Sequence, residues 1–146
     1  MNREQYLEYV DHFNNKRYDA LTSYFTEDIT VEYFDDAYAP YAPARTLKGR
    51  DGFTANYKTL HEHTREILEL GDFMCVDDLL FVELYTEFHT FKDSPGGPGM
   101  MRKKGDVIIM TNWVIYNLDE NGKMKRIRIG HFRNSDPKTA RYSADT

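Results

Sequence analysis

The chain has 146 residues, a formal net charge of −5 and a single cysteine, Cys75. One domain of that length buries roughly 70% of its unfolded surface and folds without staples, and a lone thiol excludes a disulfide framework and a thiolate zinc cluster. With no basic run longer than Arg102-Lys103-Lys104, no apolar run near the ~18 residues of a membrane span and no signal-peptide core in MNREQYLEYV, the expectation is a cytoplasmic chain without nucleic-acid or membrane partners.

Residues 3–14 predict an amphipathic helix, with Tyr6, Tyr9, Val10 and Phe13 on one stripe. A second short helix is predicted over 17–25, with Tyr18, Leu21 and Phe25 inward. Strand alternation takes over at 28–35, where Ile29, Val31, Tyr33 and Asp35 share one face and Asp35 falls near the end of the strand. The Ala/Pro/Tyr-rich stretch 36–47 reads as an irregular loop, in which Arg45 is either a solvated charge or a ligand clamp. A third helix should open after Gly49 and run to about His63, burying Phe53, Tyr57 and Leu60, with His61 four residues beyond Tyr57 and within reach of a pocket.

Strands are predicted over 65–70, 73–78, 79–92, 105–117 and 123–133, with turns at Gly71-Asp72, Asp77-Asp78, the Gly/Pro stretch 93–99 and Asn121-Gly122. Residues 134–146 are polar and read as a mobile tail beyond a single domain of residues 1–133. On strand 79–92, Val82, Leu84, Thr86 and Phe88 should face inward, and Glu83, Glu87 and His89 outward. Ile127, Ile129 and His131 alternate with Arg126, Arg128 and Gly130, which turns His131 inward, whereas both faces of strand 105–117 are apolar and its parity is open. Three helices followed by antiparallel strands make an α+β layout, in which a twisted sheet curls into a cone with the helices on its concave face.

Eleven tyrosines and nine phenylalanines exceed the usual needs of so small a core, and a buried phenol needs a partner. His61 and His63 are two apart on a helix and cannot face one ion together, so no metal site is expected. No phosphate-binding glycine motif and no serine-nucleophile motif occurs, so the expectation is a chain without cofactors.

The stretches Tyr24-Phe25-Thr26-Glu27-Asp28-Ile29-Thr30-Val31-Glu32, Leu47-Lys48-Gly49-Arg50, Gly105-Asp106 and Asn121-Gly122-Lys123, in that order, resemble the nuclear transport factor 2-like (SnoaL-like) superfamily. That group includes ketosteroid isomerase, scytalone dehydratase and SnoaL-like polyketide cyclases. The resemblance spans about residues 3–133 and implies a conical pocket and sheet-to-sheet dimers, whereas the superfold hosts many functions. Carried over from ketosteroid isomerase, the helix-one tyrosine falls on Tyr9, the basic aspartate on Tyr33 and the protonated aspartate on Asn112. A phenol and an amide thus stand where that enzyme has two acids, and its proton shuttle is absent.

The same match turns Met110, Asn112, Val114 and Tyr116 inward. The expectation is a cofactor-independent isomerase, cyclase or dehydratase for a small, largely apolar metabolite of polyketide, terpenoid or alkaloid type. Tyr9, Tyr33 and Asn112 would supply hydrogen bonds, His131 and Asp35 would move the proton, and Tyr116, Tyr57, His61, Phe88 and Met110 would contact substrate. The rival expectation is a non-catalytic binding or dimerisation module. Phe81, Tyr85, His89, Phe91 and Trp113 on the convex face would form the homodimer contact.

Overall fold

The computed structural model describes residues 1–35, 43–94 and 102–145. Helix α1 (Arg3–Asn14) starts at a capping box, in which Asn2 and Gln5 bond each other's backbone N–H. It is followed by α2 (Tyr18–Thr22), β1 (Phe25–Phe34), β2 (Arg45–Lys48) and α3 (Gly49–His61). Four long strands complete the fold: β3 (Thr64–Val76), β4 (Leu79–Thr90), β5 (Val107–Leu118) and β6 (Met124–Ser135). They form one curved, unclosed six-stranded sheet in the order β2-β1-β6-β5-β4-β3, the α+β cone expected of the sequence.

Local chemistry sets the turns. Asp77, at φ 54°, makes the two-residue connection between β3 and β4, and Gly122, at φ 78°, closes β5 onto β6. Asn14 docks α1 on β3 through both halves of its amide, donating to Leu68 O at 3.0 Å and accepting from Leu68 N at 2.8 Å. Arg50 Nε donates to Phe25 O at 3.1 Å and ties α3 to β1. The core between helices and sheet is strongly aromatic, with Tyr6, Tyr9, Phe13, Phe25, Phe53 and Tyr57 all buried.

Four features depart from the sequence expectations. β1 pairs with β6 in parallel, so the sheet is antiparallel except at that seam; β2 takes one edge of β1 and leaves the other for the last strand. Gly71-Asp72 is a bulge inside one continuous β3, with Leu70 opposite Leu84 and Phe73 opposite Val82. A Cβ at Gly71 would come within 3.2 Å of Glu83 O, hence the glycine. Residues 45–47 of the expected loop, together with Lys48, pair with β1 as β2, while 36–42 lie outside the described residues. The Gly/Pro stretch lies partly outside them too, at 95–101 with Met100 and Met101.

The fourth departure is the C-terminal segment, which docks on the outer face of the sheet. The backbone N–H groups of Arg141 and Tyr142 donate to the Glu87 carboxylate at 2.7 and 3.2 Å. Arg65 reaches the Ser143 and Asp145 carbonyls at 2.7 and 2.6 Å. Glu87 and His89 do face outward, yet this segment leaves them only 0% and 5% exposed. No helix among the described residues is long and apolar enough to cross a membrane.

Candidate active site

A cavity of about 490 Å³ opens between α1, α3 and the concave face of the sheet, within the roughly 300–1,000 Å³ usual for small-molecule sites. Tyr9, Tyr33, Asp35, Tyr57, Phe88, Met110, Asn112 and Tyr116 all line it. The open parity of β5 is thereby resolved, because Met110, Asn112, Val114 and Tyr116 alternate onto the cavity side. Asp35 lies at the exposed end of β1.

Two expected site residues sit elsewhere. His131 does not line the cavity, and its Nε2 bonds Asn134 Oδ1 at 2.7 Å. Register still places it on the cavity face of the sheet, opposite Asn112; the slip in β6 comes just after it, where Thr111 is opposite Arg133 and Phe132 is an extra residue. The extra residue brings Asn134, opposite Met110, onto the same face as His131, which lets the two side chains bond. His61 is buried yet does not line the cavity either. It stands one layer behind, its Nδ1 2.6 Å from the Tyr18 hydroxyl and its Nε2 3.0 Å from Glu66 Oε1.

Glu66, which the sequence analysis does not single out, is the buried carboxylate of the cavity wall. Burial raises its pKa; the His61 bond and charge, and the Arg102 and Arg45 guanidiniums, oppose that rise without cancelling it. A base with an elevated pKa is suited to exchanging protons near neutrality. Its support works in both protonation states. With Glu66 ionised, His61 Nε2–H donates to it and Tyr18 donates to Nδ1; with Glu66 protonated, the carboxyl donates to Nε2 and Nδ1–H donates to Tyr18.

Neutral phenols face this carboxylate. Tyr33 and Tyr57 share a hydroxyl–hydroxyl bond, and Tyr6 bonds Tyr116 at 2.5 Å. Burial pushes Tyr33 up to about 12 and drives Tyr9, Tyr57 and Tyr116 well above the ordinary phenol value. They therefore remain protonated hydrogen-bond donors. Two hydroxyls joined by one bond have one hydrogen left over, so the Tyr33–Tyr57 pair retains a donor. Among the described residues no group of three or more His, Cys, Asp or Glu side chains is placed to hold a metal.

Fold and site define a cone-shaped α+β protein with an internal small-molecule cavity, and comparisons with known proteins agree. The profile of the SnoaL-like domain matches residues 6–127, and the chain belongs to that family. Comparison with curated proteins by sequence finds no match. Among solved structures, a proposed polyketide cyclase from Xanthomonas campestris pv. campestris superposes with a TM-score of 0.66 at 17% identity, covering 85% of this chain and 84% of that one. The epoxide hydrolase/cyclase-like enzyme SalBIII, of pyran ring formation in the polyether salinomycin, gives 0.63 at 19% identity over 90% and 95%. An LEH-like epoxide hydrolase of M. tuberculosis gives 0.61 at 9% over 85% and 77%. At such identities the likeness is one of fold.

Proposed function

We propose that this protein is a cofactor-independent acid–base enzyme, an isomerase, cyclase or dehydratase, acting on a small, largely apolar carbonyl or hydroxyl compound of polyketide, terpenoid or alkaloid type. The observation that carries this is Glu66, a carboxylate with a raised pKa that faces an open cavity and is held from behind by His61 and Tyr18. Glu66 takes a proton from carbon or oxygen of the substrate. The Tyr33–Tyr57 pair and the Asn112 amide donate to the oxygen on which negative charge develops, and Glu66 returns the proton at a second position. The proton transfer expected of His131 falls to Glu66, while Tyr9, Tyr33 and Asn112 keep the donor roles. The cyclase and epoxide hydrolase/cyclase-like names among the structural relatives support chemistry of this kind.

Assembly belongs to the same proposal. Tyr85 and His89 are engaged by the C-terminal segment, which leaves Trp113, Phe132 and Phe81 as the apolar part of the outer face where a second copy would dock.

The catalytic claim is tested by α-proton exchange of a panel of aryl β-diketones in D2O, followed by proton NMR. The protein should accelerate exchange of at least one member, and Glu66→Gln should slow it by about 100- to 10,000-fold. Binding without exchange across the panel would favour a non-catalytic binding module instead, and a fully active Glu66→Gln would remove Glu66 as the base.

A further inference from the structure

Beyond the Glu66 and Asp35 carboxylates, every polar side chain of the cavity can donate a hydrogen bond. Thr86 lines it, is 1% exposed, and its hydroxyl has no hydrogen-bond partner. A buried hydroxyl without a partner is costly and rare in native structures, so an unpaired one in a cavity wall is poised for a ligand. Leu84 pairs with Asn112 and Thr86 with Met110, which makes Thr86 and Asn112 diagonal neighbours on the same face of the sheet. The spare hydrogen of the Tyr33–Tyr57 pair adds a third neutral donor.

Two guanidiniums complete the set. Arg45, paired in register with Tyr33, lies over the Tyr33 ring at 4.2 Å, and its Nη1 donates to Asn56 Oδ1 at 3.3 Å. Stacking and this bond orient the planar fork while leaving further N–H groups for a ligand. Arg102 lies 6.0 Å over the Phe88 ring and lines the same cavity. Among the described residues neither guanidinium forms a salt bridge. The hydroxyls and amides of the lining can also accept, whereas the two guanidiniums are donors only.

We infer that the substrate is a keto acid. Its carboxylate is clamped by Arg45 and Arg102, and its ketone oxygen accepts from Thr86 and Asn112 inside the apolar cone. A carboxylate matches the guanidinium fork with charge-assisted bonds, and a ketone gives the Thr86 hydroxyl an acceptor that no protein group supplies. The assignment names the substrate class of the site proposed above and rests on that reading, but its test reads binding and not turnover.

Calorimetric titration would compare 2-naphthoate with 2-naphthamide, and 6-acetyl-2-naphthoate with 6-ethyl-2-naphthoate. The acid should bind about tenfold tighter than the amide, the scale of one charge-assisted contact. That preference should vanish in Arg45→Gln/Arg102→Gln and persist in Lys125→Gln, an exposed cation remote from the cavity lining. The acetyl compound should bind tighter than the ethyl compound, and Thr86→Val should erase the difference while circular dichroism stays native. The titration reads binding and not turnover, so a failed catalytic reading would leave this result standing. Equal binding of acid and amide, a preference that survives the double variant, or an acetyl advantage that survives Thr86→Val would each overturn the keto-acid assignment.

Discussion

Glu66 is fully enclosed by α3, β3 and the cavity, and its carboxyl resists ionisation because burial removes the water that would solvate the charge. Its pKa is therefore raised above the ordinary 4.5 in the folded state. A folded state that holds this proton more tightly than the unfolded chain loses stability as pH rises from the unfolded pKa through the folded one. Glu66→Gln, which cannot ionise, should thus match the wild type in denaturant melts near pH 4 and become the more stable protein toward pH 8. A constant difference across that range would contradict the raised pKa. His61 presents the complementary lesson. It falls on the same helical stripe as Tyr57, but the Glu66 carboxylate occupies the space between its ring and the cavity.

Among the elements, β4 shows how one strand serves two faces. Leu84, Thr86 and Phe88 line the cavity, while Tyr85, Glu87 and His89 hold the C-terminal segment on the outside. Burial alone would raise the Glu87 pKa. The Arg141 N–H, the Tyr85 hydroxyl, His89 and the Tyr142 N–H outweigh that and lower it. A depressed carboxylate contributes stability above its unfolded pKa and loses it as pH falls through the folded one, so the segment should detach in acid. Glu87→Gln removes the charge that two backbone N–H groups share and should cost about 1–3 kcal/mol. The amides of Arg141 and Tyr142 should then exchange hydrogen faster, and trypsin should cut after Arg141 sooner. Unchanged exchange at those amides would show that Arg65 and Glu69 hold the segment unaided.

For the whole molecule, the outer sheet face beyond the C-terminal segment keeps large aromatics exposed among the described residues. Trp113 and Phe132 stack with ring centres 4.0 Å apart while 43% and 49% exposed, and Phe81 lies 6.5 Å from Trp113. Large stacked aromatics in water favour burial, so sedimentation at ~10 μM, ordinary for an interface of standard size, should give a dimer mass. Trp113→Arg should give a monomer with an unchanged spectrum, whereas a monomeric wild type would remove the dimer proposal. The cone itself was readable in the sequence because its determinants are local: the 3.6-residue stripes of α1 and α3, the period of two in the strands, and turn residues such as Asp77 and Gly122. The inward tyrosines were readable for the same reason. Glu66 was not, since Ile67 and Leu68 beside it are both buried and a strand apolar on both faces shows no parity. Nor was the bulge at Phe132, because one inserted residue leaves no mark in the sequence. Sequence alone determined the three helices, most of the strands and the side chains that alternate together wherever one face is polar. Only the tertiary structure decided which carboxylate lies against the cavity and which histidine stands behind it, because those contacts join residues through sheet register and helix docking, which local periodicity does not encode.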